Sequence, residues 1–451
     1  MAIKKISRRI FIKISGMFLF FLSFVRIGMT GTGGSEKKPR PKASKTGVPM
    51  PLGTDAHGIS HVYLVKGMTP ENNIKRVMKV MGGCEKFIGI DDIVILKPNA
   101  QWWHHGTTNT NNMKGFIELV FGIRGFQGEV IIAENHHYKE ANARGWNTKD
   151  RNGDYNLNEL IDYFHQKGYE NISKYHWVDA GSNPKPQEGD GGNGNLVKSV
   201  TDGDGYIWLD DKVYETPCGR KCMMTYPVFT SVYSGKKIDL CRGSLVNGKY
   251  VKNVKLINFS CLNHHSEAFG VTASIKNLMG VTDMTCGFHG PEPSGMYNMH
   301  FIGRMSSIYK AGLDLKYYGE KFGFGPGLGR KLMDKGYWDT QYTGGALGYW
   351  MKHVKMPDLN ILAAEYVGWG GRGRNGPDKR HRANCVVCST DPVALDYVGS
   401  KKILLEATPE EETHYRKFNS PDYPPFRTFL EECHQQGIGN LDVEKIKVIV
   451  G

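Results

Sequence analysis

The chain has little net charge outside its first 45 residues. Those residues hold eleven Lys or Arg and one Glu, which is +10 of the total +13, so the remaining 47 basic and 44 acidic residues leave only +3. A phosphate-tracking surface needs a concentrated basic face, and its absence here argues against nucleic acid as a partner. Long apolar runs are also scarce. The leading apolar segment, Gly16 to Val25, falls well short of the roughly 20 residues of a membrane-spanning helix. Nine cysteines, at 84, 218, 222, 241, 261, 286, 385, 388 and 433, are too scattered for a small-protein disulfide framework. Their odd number leaves at least one thiol free or bound to something.

The N-terminus instead reads as an export leader. Ser7 to Lys13 spell SRRIFIK, with the serine, paired arginines, phenylalanine and lysine of a twin-arginine signal, and the apolar core follows directly. Residues 1–30 are accordingly assigned as signal, with the Tat translocase as a transient partner and the periplasm or cell envelope as destination. Arg26 after the core and the lack of an A-x-A site leave an uncleaved amphipathic membrane anchor as the alternative. Residues 31–56, rich in Gly, Lys, Pro and Ser, form a disordered basic linker. The remainder, 57–451, is read as a single domain.

Within it, helix-like and strand-like stretches alternate. Strands are expected at His61–Val65, Ile93–Leu96, Val130–Ala133, Val254–Phe259, Leu359–Ala364, Cys385–Cys388 and Lys445–Val450. Helices are expected at Asn72–Met81, Met113–Phe121, Leu157–Lys167, Ala273–Met279 after a Thr272 cap, and Val393–Leu405 after Asp391 and Pro392. This alternation predicts an α/β fold with a mostly parallel sheet flanked by helices. Residues 141–250 break the rhythm with a polar insertion and a β-ribbon, the latter marked by the Ser234-Gly235 and Asn247-Gly248 turn signals.

Three of the strand-like runs end in polar tips, each followed by paired histidines: His104 and His105, His136 and His137, His264 and His265. In an open parallel sheet the strand carboxyl ends share one edge, where ligands bind. With Glu134 and Cys261, these six imidazoles supply the donor set of zinc or iron. No two histidines of the set sit at helical i, i+4 spacing, so convergence has to come from the fold. The competing reading is that neighbouring imidazoles point apart and serve as ordinary hydrogen-bonding groups. Lys97, Lys276 and Asp391 are the candidates for acid–base or anion-binding work, against structural roles as satisfied cations and a helix cap. Asn99 and Asn277 are the candidate cofactor contacts.

Several local patterns carry less. Asp150 to Ile161 lacks the glycine and the final glutamate of a calcium loop, and Asn156 with Glu159 fits a helix capping box instead. Gly323 to Lys331 lacks phosphate-loop spacing and reads as a surface loop. Cys385 and Cys388, three apart on a strand, face opposite ways, which leaves Cys218 and Cys222 as the better candidate pair for a disulfide or metal.

The Lys97-Pro98-Asn99 strand end, the segment GVTASIKNLMG (Gly270–Gly280), the RNGP loop (Arg374–Pro377) and STDPVALD (Ser389–Asp396) together resemble the domain-of-unknown-function 362 family over about residues 58 to 405. The resemblance implies an α/β fold and no general reaction. Many members add a ferredoxin-like module with clustered CxxCxxCxxxC, absent here. Two lysines of the family's PKLKTH-like strand tip are replaced by Cys261 and Asn263. The expectation is an exported enzyme that uses a metal or redox cofactor on a small substrate. The runner-up is a non-catalytic periplasmic protein that holds a small ligand in the same cleft.

Overall fold

A computed structural model describes residues 50–451, apart from 101–106, 136–145, 181–190, 193, 287–295, 301, 304–305, 324, 326, 336–340 and 371–378. The leader, most of the linker, the RNGP loop and His104, His105, His136 and His137 therefore lie outside the described residues.

The first half contributes β1 (Ser60–Lys66), α1 (Pro70–Val80), β2 (Ile93–Pro98), α2 (Thr110–Phe121), β3 (Glu129–Asn135), α3 (Leu157–Gln166) and β4 (Ile172–Trp177). An inserted ribbon follows: β5 (Gly205–Glu215), β6 (Lys221–Thr230), β7 (Lys237–Asp239), β8 (Gly243–Val246) and β9 (Lys249–Val251). The chain then returns through β10 (Val254–Ser260), β11 (Asn263–Ser266), β12 (Gly270–Thr272) and α4 (Ser274–Asn277). Beyond these come α5 (Ser307–Phe322), α6 (Gly327–Lys335), α7 (Gln341–His353), β13 (Leu359–Gly368), β14 (Arg380–Ser389), α8 (Pro392–Gly399), α9 (Leu405–Ala407), α10 (Thr413–Asn419), α11 (Phe426–His434) and β15 (Ile446–Val450).

The main sheet runs β15-β1-β14-β13-β10-β2-β3-β4, with the β11–β12 hairpin attached to the end of β13, and the ribbon forms a separate five-stranded antiparallel sheet. From β13 to β4 neighbouring strands are parallel, whereas β14 is antiparallel to both β13 and β1. This is the expected α/β class with a mixed, mostly parallel sheet. Alternate residues of each strand feed different cores. Ile93, Ile95, Ile131, Ala133 and Leu256 join the apolar cluster that includes Tyr206, Tyr226 and Phe229 of the ribbon with Trp350 and Leu395. Val94, Leu96, Val130, Ile132 and Ile257 join the cluster built by α1, α2 and α3 through Ile74, Val77, Phe116 and Phe164. Burying one such side chain stabilises by about 1.5–3 kcal/mol, which explains why the strands are apolar on both faces.

Local chemistry fixes the helix starts. Asn156 and Glu159 form the reciprocal capping box ahead of α3, as the sequence predicts. The helix after β12 differs from expectation. Thr272 is the last residue of β12, Ala273 occupies the cap position without a side-chain bond, and α4 gives way to a 3₁₀ turn over Leu278–Gly280.

Candidate functional site

Strand order places the site. β2, β3 and β4 step outward in one direction, while β10 and β13 lie on the other side of β2, so the order reverses between β2 and β10. Such a reversal opens a crevice at the carboxyl edge of a sheet, the usual ligand position in open α/β folds. Thr108 spans the crevice mouth, accepting from Asn99 N at 2.8 Å and donating to Phe259 O at 2.7 Å.

Lys97, at the end of β2, is fully buried and spends its three donors on Glu134 Oε1 at 2.7 Å, Pro98 O at 2.8 Å and Asn277 Oδ1 at 2.9 Å. Glu134 also accepts from Ala100 N. Desolvation pushes the Glu134 carboxyl up to about 7 and the Lys97 ammonium down, each opposed by the charge of the other. Asn277 donates to Lys97 O and to Asn258 Oδ1, and Asn258 donates to Asn360 Oδ1 at 2.9 Å. A polar line thus crosses from β2 through α4 and β10 to β13. Gly280 passes so close that a Cβ there would lie 2.4 Å from Glu134 Oε1 and 2.5 Å from Lys97 Nζ, so no side chain fits while the pair keeps its place.

Of the expected residues, the fold brings Lys97, Glu134 and Asn277 together, with the Cys261 thiol within electrostatic reach of Lys97. Burial pushes that thiol up to about 12, which keeps it protonated, and Asn263 donates to its sulfur at 3.2 Å. Asn99 stands at the rim. Lys276 places its ammonium 4.7 Å from the Phe269 ring centroid and 3.4 Å from Met279 Sδ.

His264 and His265 are consecutive residues of β11, at a register shift in its pairing with β12, and their rings take different partners. His264 Nδ1 meets Asn419 Oδ1 at 2.8 Å, and His265 Nδ1 meets Thr272 Oγ1 at 2.7 Å. The Nδ1 atoms of the two rings are thus engaged by different side chains. Among the described residues, no group of three or more His, Cys, Asp or Glu is arranged to hold a metal.

Asp391 sits at the other end of the sheet. Because β14 is antiparallel, its carboxyl end pairs with the start of β13, at Ser389 opposite Asn360, away from the Lys97 edge. There Asp391 caps α8 through Val393 N and Ala394 N, and it also accepts from Asn440 N and Ser60 Oγ. Cys385 and Cys388 fall into different cores, in line with their expected opposite orientation. Cys218 and Cys222 are free thiols, the first exposed and the second buried.

Residues 220–401 match the family described as Domain of unknown function (DUF362). No curated protein and no solved structure matches the chain. The DUF362 match supports the family resemblance over the stretch from β6 through α8, including β10, the β11–β12 hairpin, α4 and β13. It contains Asn258, Asn277 and Gly280 and starts after Lys97 and Glu134.

Sequence reasoning missed part of this edge. Asp179, just after β4, and Asp283, after the 3₁₀ turn, are buried carboxylates. Asn135 links Asp179 to Thr282 O with bonds of 3.2 and 2.6 Å. The usable signal was the Ile172–Val178 stretch, which is followed directly by an acidic residue, Asp179, as a strand tip is.

Proposed function

We propose that the chain is an exported enzyme of the cell envelope that acts on a small substrate in the β2/β10 crevice with a metal or redox cofactor. The observation that carries this reading is the buried Lys97–Glu134 pair, drawn from adjacent strands onto the carboxyl edge at the point where strand order reverses. Lys97 and Glu134 would position and polarise the substrate, and Asn277 holds Lys97 in place. Zinc or iron would find its donors in Glu134 and the histidines that follow β2 and β3, namely His104, His105, His136 and His137. The SRRIFIK leader supports export through the twin-arginine route.

One observation favours the second reading, a non-catalytic ligand-binding protein. All three Lys97 donors are already satisfied by the protein itself, which suits a rigid wall better than a moving proton.

Protein purified from the exported, folded fraction decides between them. The expected result is one equivalent of zinc or iron by elemental analysis, lost on His136→Ala/His137→Ala replacement without loss of fold. Metal-free protein that carries a small organic molecule in native mass spectrometry would overturn the enzyme reading in favour of the binder. Arg8→Lys/Arg9→Lys is expected to retain the chain in the cytoplasm; unchanged export removes the twin-arginine assignment.

A further inference from the structure

α5 and α6 form a helical hairpin that packs chiefly on itself. Ser306 caps α5 by accepting from Tyr309 N at 3.1 Å, and Gly323, with φ of 79°, ends the helix in the left-handed conformation. Gly312 and Gly329 mark the contact between the two helices. A Cβ on Gly312 would lie 2.6 Å from Met333 N, and one on Gly329 would lie 2.3 Å from Lys316 N, so only glycine lets the backbones approach this closely. Lys316 Nζ ties α5 to Glu267 Oε1 in the β11–β12 turn at 2.8 Å.

One side of the hairpin is apolar and open. Ile308, Tyr318 and Leu328 are 50%, 43% and 62% exposed, and Leu315 and Leu332 are half-buried. Counted at about 100° per residue from Gly312, residues Ile308, Leu315 and Tyr318 share one flank of α5. Counted in the same way from Gly329, Leu328, Leu332 and Lys335 share the matching flank of α6, with Lys331 at its outer margin. The helices run antiparallel, since Gly312 meets Met333 while Lys316 meets Gly329, and this puts both flanks on one side of the pair. Asp314, also exposed, stands at the outer margin of α5. Six Lys or Arg against three Asp or Glu between residues 307 and 335 give the hairpin a charge of +3. That equals the whole net charge of the chain beyond residue 45, so the rest of the chain beyond that point balances.

We propose that this face docks the protein on an anionic phospholipid surface, with the apolar strip at the acyl boundary and Lys331 and Lys335 at the level of the headgroup phosphates. Such docking deepens the cell-envelope reading above and rests on it for the lipid surface. Amphipathic helices with lysines beside an apolar strip lie in the membrane interface, held by apolar area and by attraction to anionic lipid. Tyr318 adds a ring with a polar tip, a side chain suited to the headgroup level. Among the described residues no helix is long and apolar enough to cross a membrane, which fits a hairpin that lies on the surface. A second copy of the chain suits the strip less well. Twofold pairing through it would gather the lysines of both copies at one interface, where like charges cost affinity.

Vesicles of equal parts phosphatidylglycerol and phosphatidylcholine are the probe, with pure phosphatidylcholine as the reference. Hydrogen–deuterium exchange read by mass spectrometry on the full chain separates peptides of 307–335 from those of the leader. The expected result is slowed exchange across α5 and α6 with the anionic vesicles, and sedimentation onto them about tenfold stronger or more than onto the neutral ones. High salt should remove most of that preference. Ile308→Asp/Leu328→Asp and Lys331→Glu/Lys335→Glu should each abolish the slowed exchange while thermal unfolding stays that of wild type, since all four side chains are exposed.

Exchange in 307–335 that anionic vesicles leave unchanged overturns the proposal on the wild-type protein alone. So does slowing that follows protein concentration without lipid, which assigns the strip to a second copy, and so does slowing that neutral vesicles produce equally. Vesicle binding needs neither export nor metal. Failure here therefore leaves the crevice and twin-arginine readings standing, and a chain whose export ignores Arg8 and Arg9 leaves the affinity measured here unchanged.

Discussion

Lys97→Met is expected to destabilise the protein by about 3–5 kcal/mol, because it leaves a buried carboxylate and two further acceptors without their donor. Glu134 sits at 3% exposure and Lys97 at 0%, so neither charge has solvent to fall back on. Pro98 O and Asn277 Oδ1 lose the same ammonium. Adding Glu134→Gln should recover part of the loss, since the second change removes the stranded charge rather than another interaction. Urea denaturation of wild type, the two single variants and the double variant gives the cycle directly. A Lys97→Met variant within about 1 kcal/mol of wild type would mean that water reaches the pair and that this edge of the sheet is not desolvated.

Much of the fold was legible because its strands are buried on both faces. Ile93–Leu96, Val130–Ala133 and Val254–Phe259 are short apolar runs whose partners are other apolar runs, so composition alone locates them to within a few residues. Lys97, Glu134 and Asn277 could be singled out for a related reason: polar residues at the end of an apolar strand, or in the helix after one, gather on a common edge when the strands are parallel. The ISKYHW run of β4 was harder to see. Lys174 and His176 interrupt its apolar pattern, and it stands amid Gly, Asn and Asp. Its partnership with β3 supplies what its own propensity lacks.

The hairpin at His264 and His265 was read as a loose polar tip because Asn263–Ser266 has little strand character. Pairing with Gly270–Thr272 and with Gly368 makes it a strand, and the two imidazoles there take different partners, Asn419 and Thr272. Such contacts are long range and leave no local trace. Strand direction is equally silent in sequence: nothing in Arg380–Ser389 says that it runs against β13. That one reversal carries Asp391 to the far edge of the sheet.

Asp391 therefore offers the sharpest contrast between a structural and a catalytic carboxylate. Its Oδ1 caps α8 at Val393 N, 2.8 Å, and Ala394 N, 2.9 Å, while Oδ2 receives Asn440 N at 2.7 Å and the Ser60 hydroxyl. It thereby ties the β1 start, the α8 start and the segment before β15 to one another. Asp391→Ala removes the cap and leaves buried donors unanswered, for an expected loss of about 3 kcal/mol or more. Asp391→Asn keeps an acceptor oxygen but offers an amide where the second set of donors arrives, so its loss should be smaller yet clear. Neither variant should alter metal content or ligand occupancy of the folded protein, because both act at the edge opposite Lys97. A folded Asp391→Asn protein of wild-type stability that has lost its metal or ligand would place Asp391 in the functional site and contradict the opposite-edge assignment.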